Sequence, residues 1–158
     1  AASDVYKRQG YDVKGRIRGQ ERDALNLIPI IMEVANGTRD TMEVFGNDYD
    51  THDGTGVRDY IHVNDLATAH VKAMNYIREH DKDLTLNLAT GEGHSVLDVI
   101  NRAKDVTGKE ISYDIVGRRD GDPAKVVAIS NKAEELLAWK AEHSNLDTLI
   151  QSAWEIYK

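Results

Sequence analysis

Short strand-like runs alternate with longer amphipathic segments along most of this chain, and glycine turns separate them. Residues 26–36 place Ile28, Ile31, Met32 and Ala35 on one face at helical spacing. Pro29 is tolerated if it lies in the first turn, and Gly37 supplies the stop. Residues 42–45 read as a strand, ended by Gly46-Asn47, and residues 58–63 as another. Asn64 or Asp65 is expected to cap a helix running to about His80. Residues 84–89, with leucines at alternate positions, read as a strand, and Ser95 as the cap of a helix ended by Gly108. Residues 111–116 and 126–129 follow as strands, then a short helix from Ser130 or Asn131 to about Ala138. The last helix follows Ser144, with Leu146, Leu149, Ile150, Ala153, Trp154 and Tyr157 in one stripe that reads as core. This alternation predicts an α/β fold. The strands are few and short, which suggests an incomplete sheet or a lobe that leans on another body.

Composition narrows the function classes. No Pro/Gly/Ser-rich linker or repeat divides the 158 residues, so they read as one unit able to bury a core. The chain has no cysteine, which excludes disulfides, thiolate metal sites and cysteine nucleophiles. No apolar run reaches the ~18 residues of a membrane span, and "AASDVYKRQG" has no signal-peptide core. A cytoplasmic protein without a membrane partner is expected. With 20 basic against 27 acidic residues the formal charge is −7, which argues against nucleic acid as a partner. One local exception is "KGRIRGQER", where Lys14, Arg16, Arg18 and Arg22 cluster. It reads as a solvated loop, with a basic interaction segment as the rival.

Few motifs carry chemistry. In "LATGEGHSV" a strand, a glycine loop and a helix start could cradle phosphate. The third glycine of the dinucleotide fingerprint is absent, with Val96 in its place, so a tight turn is the simpler reading. The histidines His52, His62, His70, His80, His94 and His143 show no paired ligand spacing, so no metal is expected. Neither a G-x-S-x-G elbow nor a Tyr-x-x-x-Lys pair occurs. Arg58, Arg118 and Arg119 are the informative cations, because a guanidinium fork suits phosphate oxygens. Ion pairs of Arg58 with Asp59, and of Arg119 with Asp120 or Asp122, are the alternative, and residue types leave both open.

The wording "FGNDYDTHDGTGVRDYIHVNDLATAHVKAM", "LNLATGEGHSVLDVI", "VTGKEISY", "RRDGDPAKVVA" and "AWKAEHSNLDTLIQSAWE" closely resembles, in order and spacing, the C-terminal part of UDP-glucose 4-epimerases. These belong to the extended short-chain dehydrogenase/reductase family. The resemblance covers residues 10–158, and residues 1–9 match neither the family nor a readable element. It implies the UDP-sugar-binding C-terminal lobe of a Rossmann-type enzyme whose N-terminal Rossmann part is missing. A truncated reading frame with a foreign leader would account for both.

What the resemblance implies about residues is specific. Arg58 resembles the arginine on the diphosphate, and Arg119 a second phosphate contact. Asp122 resembles the carboxylate near the ribose. Asn26 and Leu27 match an Asn-Leu pair lining the nucleotide site. Glu43, Val44 and Phe45 match the strand flanking the uracil, and Tyr60 stands close enough to contribute. Lys125 stands near a place where some members carry a tyrosine. No catalytic residue is carried over. The family moves a hydride from the sugar's C4 to NAD and back on the other face, so NAD is the implied cofactor of the whole protein. A UDP-sugar is the implied substrate, and a homodimer the implied assembly. Another nucleotide-sugar epimerase, such as a UDP-N-acetylhexosamine 4-epimerase, or a non-catalytic binding module, are the alternatives. Lacking the Tyr-x-x-x-Lys pair and the glycine fingerprint, the purified chain is expected not to epimerise UDP-glucose; measurable turnover would contradict this. Marginal stability is also expected, and a cooperative, monomeric, high-melting transition would count against it.

Overall fold

The computed structural model describes residues 8–21 and 24–158. Its elements run β1 (Arg8–Gln9), α1 (Leu27–Ala35), β2 (Met42–Phe45), β3 (Val57–Arg58), β4 (Ile61–His62), α2 (Val63–His80), β5 (His94–Ser95), α3 (Val96–Thr107), β6 (Tyr113–Val116), β7 (Lys125–Val126), α4 (Asn131–Leu137) and α5 (Leu146–Tyr157). The strands form three small groups. β2 runs parallel to β6, β1 runs parallel to β4, and β3 lies between an antiparallel β5 and a parallel β7.

Two apolar clusters organise these pieces. In the larger one, Ile28, Ile31 and Met32 of α1, Val99, Ile100 and Ala103 of α3, and Leu149, Ile150 and Ala153 of α5 close over Met42 and Val44 of β2. These residues recur at helical spacing on their own elements, so three amphipathic stripes share one interior. The smaller cluster joins Leu66 and Ala69 of α2, Ala133 and Leu137 of α4, and the buried Trp139. Ser95 caps α3 with a reciprocal box: its hydroxyl accepts from the Asp98 N–H and the Asp98 carboxylate accepts from the Ser95 N–H.

Several sequence expectations change. The strand expected over residues 58–63 is two short ones. Between them the Asp59 carboxylate accepts from the Thr90 and Gly91 N–H groups, which turns the backbone out of one sheet and into another. Residues 84–89 form no ladder; Leu84, Leu86 and Leu88 instead pack on the α2–α4 cluster. There Lys132 and Ser130 donate to the Thr85 and Ala89 carbonyls. The late strand is only Lys125–Val126. Arg8–Gln9, which the sequence reading gave no element, pairs with Ile61–His62. Large apolar side chains are exposed at Leu25, Ile17 and Ile129, and at Val71 and Met74 on α2.

The cap of α2 is also unexpected. His62 fills the place foreseen for Asn64 or Asp65, accepting from the Asn64 N–H through Nδ1 at 3.1 Å. Its proton must therefore sit on Nε2, which donates to Ser152 Oγ at 3.1 Å. Asp65 is buried and accepts from the Glu142 and His143 N–H groups and the Ser144 hydroxyl, while Ser144 accepts from the His62 N–H. The 141–145 connection is thus stitched to the start of α2. Burial pushes the His62 imidazole down from 6.5 to about 4, partly opposed by Asp65.

Between Gly46 and Gly54, Tyr49 folds inward beneath the Arg118 guanidinium, 4.2 Å from its ring centre. Gly46 adopts φ +80°, and a Cβ there would stand 2.8 Å from the Tyr49 ring. The Tyr49 hydroxyl is buried with no hydrogen-bond partner among the described residues. Such an orphan costs ~1–3 kcal/mol.

Two outcomes follow from these buried groups. The unfolded chain takes up a proton on His62 near pH 6.5, whereas the folded chain resists until about 4. This contribution to stability is therefore full above that window and is lost as pH falls through it. Urea midpoints should fall from pH 6.5 towards 4, and more shallowly in His62→Gln; equal slopes would contradict the assignment. Tyr49→Phe should leave the unfolding free energy from urea titration unchanged or raise it by up to ~1 kcal/mol. A clear loss of stability would show that the hydroxyl is satisfied.

Candidate functional site

The start of α1, the outer face of β2, the end of β3 and the 118–122 loop surround one cavity of about 290 Å³. All nine residues that the sequence reading marked as substrate contacts line it: Asn26 and Leu27; Glu43, Val44 and Phe45; Arg58 and Tyr60; Arg119 and Asp122. They come from four separated stretches of sequence, so only the packed core brings them together.

Asn26 immediately precedes α1 without capping it; its amide donates to both carboxylate oxygens of Glu21, at 3.1 and 3.2 Å. β2 alternates, so Met42 and Val44 enter the core while Glu43 stays exposed and Phe45 is half-buried. The parallel register sets Phe45 opposite Val116, just before the arginine loop.

The two arginines are held differently. Arg58 is largely enclosed, its side chain 13% exposed. Nη1 donates to the Val57 carbonyl at 2.9 Å, and Nη2 to Asp122 at 2.8 Å. A Cβ on Gly56 would stand 3.3 Å from Nη1, so glycine leaves the guanidinium its room. Arg119 lies over the Phe45 ring at 3.6 Å and has no carboxylate within ion-pair distance among the described residues. A cation over an aromatic face keeps its in-plane N–H donors directed outward. Arg119 and Asp122 belong to one turn, in which the Asp122 N–H donates to the Arg119 carbonyl and Gly121 adopts φ +78°.

Tyr60 is buried beside Arg58, and burial pushes its phenol well above the ordinary tyrosine value. It stays neutral at physiological pH and can serve as a wall or a hydrogen-bonding group, not as a base.

The alternative ion pairs take different forms from those foreseen. Arg58 pairs with Asp122 rather than Asp59, and Arg119 pairs with neither Asp120 nor Asp122. Arg118 turns away to Asp48, at 2.6 Å, and holds that carboxyl below its ordinary value. In the basic segment, Arg16 is neutralised by Asp12 at 2.8 Å, Arg18 donates to the Gly15 carbonyl, and Arg22 lies outside the described residues.

The glycine loop at residues 90–93 does not offer an anion cradle. Its N–H groups at Thr90 and Gly91, and the Thr90 hydroxyl, already bind the Asp59 carboxylate. That loop is therefore not free to hold a dinucleotide pyrophosphate. His52, Asp53 and Asp98 bring their ligand atoms within 4.8 Å of one another. Each is already engaged: His52 with Asp98 at 3.1 Å, Asp53 with Thr55 and Ser95, and Asp98 in the α3 cap. Asp98 accordingly holds the His52 pKa above 6.5.

Sequence reasoning missed Leu25, Ile30, Met42, Tyr49, Gly56 and Val96 as cavity walls. Ile30 and Val96 lie on helices whose apolar stripes signal burial but not which side chains border a cavity. Tyr49 lies in a turn-rich loop, where nothing local signals burial.

This geometry has counterparts. The family described as GDP-mannose 4,6 dehydratase matches residues 8–152. The UDP-glucose 4-epimerase of Halalkalibacterium halodurans is 42% identical over 149 residues, covering 94% of this chain and 45% of that protein. The human UDP-glucose 4-epimerase is 45% identical over 133 residues, 84% of this chain and 38% of its own length. Among solved structures, the Stenotrophomonas maltophila UDP-glucose 4-epimerase, with bound NAD and formylated UDP-arabinopyranose, superposes with a TM-score of 0.90 at 43% identity, over 96% of this chain and 45% of that one. The Bifidobacterium longum enzyme, in complex with NAD+ and UDP, gives 0.84 at 40% identity, over 95% and 44%. The chain spans under half the length of these relatives and matches their C-terminal portion. The chain belongs to the GDP-mannose 4,6 dehydratase family of extended short-chain dehydrogenase/reductases and resembles, within it, the C-terminal portion of the UDP-glucose 4-epimerases.

Proposed function

We propose that this chain is the part of a UDP-glucose 4-epimerase that grips the UDP moiety of the substrate. The observation that carries the reading is the convergence on one cavity of Arg58, Arg119 over Phe45, and the β2 edge, in a chain whose formal charge is −7. Two guanidinium groups suit the two phosphates of a nucleoside diphosphate. The adjoining strand segment and the α1 start line the remainder of the cavity, where a base would lie. Asn26 and Asp122 add polar groups at the rim. Solved relatives bearing UDP or a UDP-sugar support the ligand class.

In this reading the chain does binding, and the redox chemistry belongs to the whole protein. NAD would supply hydride acceptance and return there. What the residues of this chain contribute is anchorage. Fixing the non-reacting UDP through charge-assisted bonds leaves the sugar free to present either face, and the remote binding energy holds the substrate through the reaction. The whole protein is accordingly read as an NAD-dependent isomerase. Another nucleotide-sugar epimerase is the rival reading, since a UDP-Glc/GlcNAc 4-epimerase from Campylobacter jejuni superposes with a TM-score of 0.75 at 36% identity. Among the described residues no helix is long and apolar enough to cross a membrane.

Calorimetric titration of the 158-residue chain with UDP tests the reading. UDP should bind, and more weakly at high salt. Arg58→Ala and Arg119→Ala should each weaken binding about tenfold to a hundredfold, the scale of lost charge-assisted hydrogen bonds. Absence of UDP binding by the folded chain, or indifference to both substitutions, would overturn it.

A further inference from the structure

One wall of the cavity carries a polar group that the free chain leaves unused. Tyr49 borders the cavity and is 7% exposed. Its hydroxyl is the only buried side-chain nitrogen or oxygen without a hydrogen-bond partner among the described residues. Asn26 and Arg58, on the same cavity, are paired with Glu21 and Asp122. A phenol hydroxyl can donate one hydrogen bond and accept others, so burying it unpaired is costly. The loop also keeps the ring from swinging to a partner. The Tyr49 N–H donates to the Gly54 carbonyl at 2.9 Å, and the Thr51 N–H donates to the Tyr49 carbonyl at 2.8 Å. One edge of the ring lies against Gly46, and Arg118 lies over its face.

We propose that the Tyr49 hydroxyl is a ligand-binding group, held unpaired in the free chain and donating to an acceptor oxygen of the bound nucleoside diphosphate. The proposal rests on the nucleotide-site reading above. Such a ligand carries acceptors of two kinds, phosphate oxygens and base carbonyls, and either answers the chemistry of an O–H donor. The hydroxyl is already out of water, so a ligand oxygen that reaches it strips no hydration from the protein. The new bond therefore removes an existing penalty instead of exchanging one partner for another. The wall can give at this point. Arg118, the side chain over the ring, is 45% exposed and donates to Asp48 alone among the described residues, and an exposed pair of this kind is weak. Tyr49 thus lowers the stability of the empty chain and strengthens the hold on the occupied one.

Tyr49→Phe removes the oxygen and leaves the ring, so the packing of the loop is kept. The experiment titrates the 158-residue chain and this variant with UDP and with uridine, beside urea unfolding of both without ligand. Tyr49→Phe should bind UDP about tenfold more weakly, the scale of one lost hydrogen bond, with its stability unchanged or higher. Tyr11→Phe, which removes a hydroxyl bonded to Tyr157 away from the cavity, should leave UDP affinity unchanged. A matching loss for uridine assigns the bond to the base, and a loss confined to UDP assigns it to a phosphate; both support the proposal. Equal UDP affinity in Tyr49→Phe and the unsubstituted chain, an equal loss in Tyr11→Phe, or a clear loss of stability in ligand-free Tyr49→Phe would overturn it and leave the nucleotide reading standing. No UDP binding by any of the folded forms would overturn both.

Discussion

The Asp59 carboxylate is the interaction on which the site's geometry turns. It ties the Thr90–Gly91 turn to the short break between β3 and β4. Because of that tie, Arg58 ends one sheet facing the cavity, while Ile61 and His62 leave in a different sheet toward the second apolar cluster. One carboxylate bound by two N–H groups and a hydroxyl thus separates a binding surface from a scaffold. It also removes the glycine loop from the set of places where an anion could sit. An anion site and a carboxylate-filled turn use the same backbone donors, and here the chain fills the turn with its own side chain.

Much of the scaffold was legible because its signal is local. The stripes of α1, α3 and α5 recur at helical spacing, the Ser95 box is written in four consecutive residues, and Met42–Phe45 alternates as a half-buried strand should. What was not legible depends on partners distant in sequence. Residues 84–89 have the alternation of a strand, but their leucines are used by α2 and α4, and their carbonyls are met by the Lys132 and Ser130 side chains rather than by a neighbouring strand. The run over residues 58–63 has uniform strand character, and only the Asp59 tie divides it. His62 replaces the expected cap because its ring is buried against Ser152 of α5, a contact 90 residues away.

The site was legible for another reason. Its nine residues could be marked through likeness to a family, whereas spacing and composition left the arginines split between anion binding and ion pairing. The structure holds the three arginines in three different ways. Arg118 is a surface ion-pair residue, Arg119 is held by an aromatic ring, and Arg58 is paired within the cavity itself. Adjacent arginines in one loop thus take opposite roles, decided by which of them can reach Phe45. Residue type names the available chemistry, and the tertiary position of one neighbour selects among its uses.

On the proposed reading, an acidic chain that binds an anion must solve a local problem of sign. Diffuse surface charge of −7 is screened within about 8 Å at physiological ionic strength. The cavity therefore needs only a few cations at close range rather than a basic surface. Placing them against Phe45 and beneath the backbone of β3 limits their motion, so less entropy is lost when a ligand arrives. Because the cavity walls come from α1, β2, β3 and the 118–122 loop, that preorganisation is a property of the whole core rather than of any segment. Substitutions in the α1–α3–α5 interior that loosen packing are then equivalent, at the site, to moving Phe45 away from Arg119, and binding and stability are coupled through the same buried residues.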